Sequence, residues 1–91
     1  MAGREQNERR FAHWEELGRG GRRYWLDVEG HHGWRARYIK EVDGEERTVR
    51  FWQEIYDESG KLVEIHVKFP VDEGHRRVAT RTPNPAPRRT P

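Results

Sequence analysis

Apolar and polar residues alternate in four stretches between Arg22 and Phe69, each bounded by turn-forming residues. A period of two is the mark of a half-buried β-strand. Strands are expected at Arg22–Val28, Trp34–Val42, Glu46–Tyr56 and Leu62–Phe69, the last stopped by Pro70. Asp43-Gly44 reads as a two-residue hairpin turn. Asp57–Lys61 reads as a three-residue loop with Gly60 at the left-handed bulge position. With these turns, and a loop at Glu29–Gly33, Tyr38 is expected opposite Val49, Ala36 opposite Phe51 and Ile55 opposite Val63. A slip of one residue turns a strand over, so such a register fixes two faces. One face is apolar: Tyr24, Leu26, Val28, Trp34, Ala36, Tyr38, Val49, Phe51, Ile55, Val63, Ile65, Val67 and Phe69.

Ahead of the strands, Phe11, Trp14 and Leu17 recur every third residue, with Asn7 placed as an N-cap and Gly18 as a stop. The spacing predicts a helix over Asn7–Leu17 that covers the apolar face. The expected organisation is a flexible start at residues 1–6 and one α+β domain at 7–78. That domain is an N-terminal helix on a four-stranded antiparallel meander, with a short edge segment near His75–Val78. Residues 79–91 hold four Pro, three Arg and no large apolar side chain, which reads as a disordered tail.

Composition narrows the class. The chain has 91 residues, so a single thin-cored domain is expected. It has no Cys, which excludes disulfides and thiolate metal sites. No apolar run approaches the ~20 residues of a membrane span and no signal-peptide pattern is present, so a soluble cytoplasmic protein without a membrane partner is expected. The net charge of +2 divides unevenly. Residues 1–10 contribute +1 and residues 81–91 contribute +3, leaving the body at −2. A mildly acidic body lacks the electropositive surface that phosphate backbones select.

The second face carries the candidate chemistry. It is expected to present Arg23, Trp25, Asp27, Arg35, Arg37, Ile39, Arg50, Trp52, Glu54 and Tyr56, followed by Leu62, Glu64, His66 and Lys68. In that register Trp52 lies opposite His66, and Glu54 opposite Glu64. Arg23, Trp25, Arg37, Arg50, Trp52 and His66 form the candidate binding set. Rings stack on bases or on a partner's apolar groups while Arg supplies charge, so RNA or a protein partner is implied, or a second copy in a homodimer.

The alternative is metal-independent ribonuclease chemistry. Glu54, Glu64 and His66 would serve as acid and base, with Arg35 or Arg37 holding developing phosphorane charge. No cofactor motif is found, and His31-His32 between two glycines reads as a polar turn, so no metal is expected.

The stretch RRYWLDVEGHHGWRARYIKEVDGEERTVRFWQEIYDESGKLVEIHVKFPVDEGHRRV resembles small bacterial proteins of unassigned function. In layout it is similar to compact toxin–antitoxin components, where a helix precedes a four-stranded antiparallel sheet. That resemblance covers strand layout over roughly residues 20–78 and implies either a regulatory binding module or messenger-RNA cleavage. The first expectation drawn from the residues is a non-enzymatic binding or regulatory module. A toxin-type ribonuclease and a structural homo-oligomer using the same face are the alternatives.

Overall fold

A computed structural model describes residues 2–78, so the tail expected at 79–91 lies outside the described residues. One helix, α1 (Ala2–Arg10), precedes six strands: β1 (His13–Glu16), β2 (Arg22–Glu29), β3 (Arg35–Val42), β4 (Thr48–Tyr56), β5 (Leu62–Phe69) and β6 (Gly74–Arg77). They form one antiparallel sheet in sequential order, an up-and-down meander. The α+β class and the antiparallel sheet are as expected, but the sheet has six strands rather than four.

The helix is displaced from its expected place. Residues 2–6, read as a flexible start, form its first turns, and it closes where the Phe11 N–H donates to the Asn7 carbonyl at 2.9 Å. Asn7 is therefore an interior residue turned to the sheet, not a cap. His13–Glu16 pairs with Arg22–Trp25 instead of continuing the helix. The triplet spacing of Phe11, Trp14 and Leu17 concealed a polar-apolar-polar alternation over His13-Trp14-Glu15, which the neighbouring edge of β2 captures. Only Arg22–Trp25 is paired on that side, so among the described residues the outer edge of β2 from Leu26 to Glu29 has no neighbour.

Four connections share one design. In each, a five-residue segment closes with its first N–H donating to its last carbonyl: Leu17 to Gly21, Gly30 to Trp34, Asp43 to Arg47 and Asp57 to Lys61, all at 2.8–2.9 Å. Each contains a residue with positive φ, at Arg19, His32, Glu46 and Gly60 among others. The Asp43-Gly44 turn is thus longer than a two-residue hairpin. Asp43 opens it, its carboxylate accepting from the Glu45 and Arg47 N–H groups at 2.9 Å each, and Glu46 takes the left-handed position. Asp57 does the same at the next turn, accepting from the Ser59 and Lys61 N–H groups at 2.9 and 3.0 Å.

These loops reset the register. Tyr38 lies opposite Leu26 and Gln53, and Ala36 opposite Val28 and Ile55. Those shifts are even-numbered, so the faces of β2, β3 and β4 from Arg50 onward survive; a bulge at the start of β4 sets Thr48 opposite Val42 and leaves Val49, expected on the apolar face, unpaired and exposed. The Gly60 loop forms as expected, with Tyr56 opposite Leu62, but bulges flank the rest of the β4–β5 ladder. One skips Val63 and another Lys68, so Glu54 lies opposite Ile65, Gln53 opposite His66 and Trp52 opposite Val67. An extra residue in one strand turns the intervening stretch over. Ile65 and Val67 join the Trp face, while Glu64 and His66 join the other.

Helix α1 covers only one end of the apolar face. Phe11, Tyr24 and Val42 form the buried cluster, with Leu26, Tyr38 and Phe51 against it. Val28, Trp34 and Phe69 on that face remain 40–45% exposed, so the expected cover is partial. Polar contacts hold the helix in place. The Glu46 carboxylate accepts from the Tyr24 hydroxyl, from Asn7 Nδ2 at 3.0 Å and from Arg4 Nε at 3.2 Å. Lys40 Nζ donates to Asn7 Oδ1 at 3.0 Å. Buried Arg22 donates to Glu8 at 2.8 Å and pairs with Glu16 at 2.7 Å, its guanidinium lying against the Trp14 and Tyr24 rings.

Candidate binding face

Cross-strand pairing arranges the second face as parallel rows running across the strands. The central row is His13–Trp25–Ile39–Trp52–Val67, one residue from each of five strands. His13 stacks on Trp25 with centroids 5.6 Å apart, and Ile39 is buried between the two indoles. Residues directly opposite in an antiparallel ladder have Cβ atoms about 4.5–5.5 Å apart, close enough for such side chains to touch.

Charged rows flank this apolar row, and in each the sign alternates from strand to strand. On one side run Glu15, Arg23, Glu41 and Arg50; on the other, Asp27, Arg37 and Glu54. Arg23 bridges Glu15 at 2.7 Å and Glu41 at 2.8 Å. Arg37 grips Asp27 with two bonds, Nε to Oδ1 at 2.8 Å and Nη2 to Oδ2 at 3.1 Å. That guanidinium holds the Asp27 carboxyl below the usual carboxylate range, outweighing its partial burial. Glu54 accepts from Trp52 Nε1 at 2.9 Å and from the Tyr56 hydroxyl at 2.6 Å. Burial, and then this bond to an anion, push the Tyr56 hydroxyl up to about 12.

Two arginines lie on rings rather than on carboxylates. The Arg50 guanidinium sits 4.4 Å from the Trp52 ring centroid, and that of Arg35 sits 5.1 Å from Tyr56. Together Trp25, Ile39, Trp52, Glu15, Arg23, Arg37 and Glu54 line an open depression of about 260 Å³. Its floor is apolar, and its walls are the Arg23 and Arg37 ion pairs with Glu54 bonded to Trp52 and Tyr56.

Of the expected binding set, Arg23, Trp25, Arg37, Arg50 and Trp52 lie together here. His66 does not. On the opposite face its Nε2 lies 2.6 Å from Asp72 Oδ1, and its ring packs on His75 at 4.4 Å, while His75 Nδ1 lies 2.9 Å from Glu64. The Lys68 ammonium, also on that side, lies 5.3 Å from the Tyr38 ring centroid. The ribonuclease set is divided in the same way: Arg35, Arg37 and Glu54 are on the Trp face, Glu64 and His66 on the other. No Glu54–Glu64 carboxylate pair exists, because the bulge at Val63 puts Ile65 opposite Glu54.

Sequence reasoning missed His13, Glu15, Ile65 and Val67 as members of the Trp face. The signal for the first two was the alternation at residues 13–16; for Ile65 and Val67 there was none, since an isolated bulge leaves no mark on an alternating sequence. Among the described residues, no group of three or more His, Cys, Asp and Glu is poised to hold a metal ion, and no helix is long and apolar enough to cross a membrane. Comparison with protein-family models, curated proteins and solved structures finds no match for this chain.

Proposed function

We propose that this chain is a small non-enzymatic binding module that engages a protein partner through the His13–Trp25–Ile39–Trp52–Val67 row. The observation that carries this reading is the pairing of charge beside the aromatics. Phosphate backbones select unneutralised Arg and Lys. Here Arg23 and Arg37 are held by carboxylates, and the signs alternate along both flanking rows. What the face offers a partner is aromatic surface flanked by the Arg23 and Arg37 ion pairs, with Arg50 and Arg35 laid on rings. Protein contact surfaces have this character, with aromatic and Arg anchors at the centre and a polar rim.

The test compares the wild-type chain with Arg50→Ala/Trp52→Ala in quantitative affinity capture, alongside anisotropy of a labelled single-stranded RNA at two salt concentrations. Protein partners that disappear with the double variant but persist with Val28→Ala, on the other face, support the reading. Salt-sensitive binding of RNA that the same double variant abolishes would replace the protein partner with a nucleic acid. Partners retained by Arg50→Ala/Trp52→Ala would move the contact surface elsewhere.

A further inference from the structure

The face opposite the Trp row keeps an open groove where helix α1 stops at Arg10. A hollow of about 310 Å³ is lined there by Phe11, Leu26, Tyr38 and Phe51, with Arg10 and Lys68 as its charged members. Leu26, Tyr38, Phe51 and Lys68 come from four consecutive strands, β2 to β5. At roughly 4.8 Å per strand, the hollow therefore runs about 14 Å across the sheet, with Leu26 at one end and Lys68 at the other. A second hollow of about 250 Å³ shares Arg10, Phe11 and Phe51 with the first and adds Lys40 and Phe69.

The cations of this groove differ from those of the Trp face. Arg23 and Arg37 are held by carboxylates, whereas among the described residues Arg10, Lys40 and Lys68 make no ion pair. Lys40 Nζ donates to a neutral acceptor, Asn7 Oδ1, and the Lys68 ammonium lies 5.3 and 5.9 Å from the Tyr38 and Phe51 ring centroids. Nearby acids are engaged elsewhere: Glu46 by Arg4, Asn7 and Tyr24, Asp72 by His66, and Glu64 by His75. Burial, and then the neighbouring Arg10, hold the Lys40 ammonium below its ordinary pKa against the pull of Glu46. An anion seated in the groove would oppose the second of these effects.

An apolar floor with unpaired cations at one end suits a ligand with an apolar body and one anionic end. The helix brings its C-terminus here, and the partial negative charge of that end disfavours a doubly charged phosphate more than a singly charged carboxylate. The length of the floor is about that of extended decanoate. We propose that this groove binds a medium-chain fatty acid, its carboxylate received by Arg10 and Lys68 and its tail laid over Phe51 and Tyr38 towards Leu26. The site lies on the face away from the Trp row, so it stands or falls independently of any partner of that row.

The test is isothermal titration calorimetry of the full chain with decanoate, octanoate, decanol and decyl phosphate. Decanoate is expected to give a saturable one-to-one isotherm, and octanoate to bind more weakly by about fourfold per methylene removed. Arg10→Gln/Lys68→Gln is expected to weaken decanoate by roughly two- to fivefold per charge removed and to leave decanol unchanged. Lys61→Gln, in the exposed turn before β5, should change neither, and circular dichroism verifies that each variant is folded. No saturable heat with decanoate, an affinity indifferent to tail length, or one that Arg10→Gln/Lys68→Gln leaves intact would overturn the proposal. Tighter binding of decyl phosphate than of decanoate would overturn the carboxylate assignment. Sedimentation velocity on the same samples reads the remaining occupant: a dimer that decanoate does not disperse would put a second copy over the groove and overturn the fatty acid.

Discussion

Tyr24→Phe isolates the bond that anchors the helix. The side chain is fully buried, and its ring packs on Phe11 at 5.7 Å and on Trp14 at 6.0 Å. The substitution keeps those contacts and deletes only the hydroxyl that donates to Glu46. Burial opposes ionisation of Glu46, but donation from Tyr24, Asn7 and Arg4 outweighs it and keeps the carboxyl below its ordinary pKa. The lost bond is therefore one to a charged group, worth about 1.5–3 kcal/mol. Glu46 keeps two donors in the variant, which favours the lower part of that range, about 2 kcal/mol. With a urea slope of about 1 kcal/mol per molar, expected for so small a domain, the unfolding midpoint should fall by roughly 2 M.

A pH series gives an independent check. A carboxyl whose folded pKa lies below its unfolded value of about 4.3 contributes fully above that value, and the contribution is lost as pH falls through the folded pKa. The wild type should thus lose stability in acid more steeply than Tyr24→Phe, with the curves converging at low pH. Equilibrium urea unfolding by circular dichroism from neutral pH down through the carboxylate range measures both quantities. A variant as stable as the wild type at neutral pH, or an equal loss at every pH, would refute the anchoring role of the Tyr24–Glu46 bond.

Other perturbations probe separate parts of the structure. Arg22→Met removes a buried cation whose partners Glu8 and Glu16 stay open to water, so the loss is that of its charge-assisted bonds, about 1–3 kcal/mol in chemical denaturation, and Arg22→Lys, lacking the planar fork, should not restore it in full. His32 sits at φ 59 in an exposed turn, so His32→Gly should stabilise by roughly 0.5–1 kcal/mol, read as a higher melting temperature. In this cysteine-free chain, oxidising Gln53→Cys/His66→Cys should give an intramolecular disulfide, while Glu54→Cys/Glu64→Cys should not; the opposite yields, read by mass spectrometry, would restore the unbulged register.

The two-residue period of Arg22–Phe69 was enough to locate four strands and to bring Arg23, Trp25, Arg37, Arg50 and Trp52 to one side. Even-numbered shifts at the first two hairpins preserve sidedness, so errors in loop length there did no harm. The same reasoning failed on β5, because the bulge at Val63 turns Glu64–Val67 over while leaving the alternation of residue types intact. It failed again at the N-terminus, where a spacing of three suits one stripe of a helix and is also compatible with a strand that follows a helix end. Pairing with β2 decides between them, and that contact is not written in residues 11–17 alone. The sign alternation of the flanking rows was equally hidden, since it emerges only when the correct strand neighbours are known.

Among the described residues, the short reach of β1 leaves a length of β2 open from Leu26 to Glu29, and the residues there bear on how the protein behaves in a crowded solution. Unpaired edges invite other strands to add on, the route by which sheets polymerise. Asp27 and Glu29 stand on this edge, and two copies approaching antiparallel would set carboxylates against carboxylates across the new ladder. Arg37 keeps Asp27 ionised to lower pH than a free aspartate, so the repulsion persists into mild acid. The Asp27–Arg37 pair of the Trp face thus sets negative charge against strand addition at the margin of the sheet.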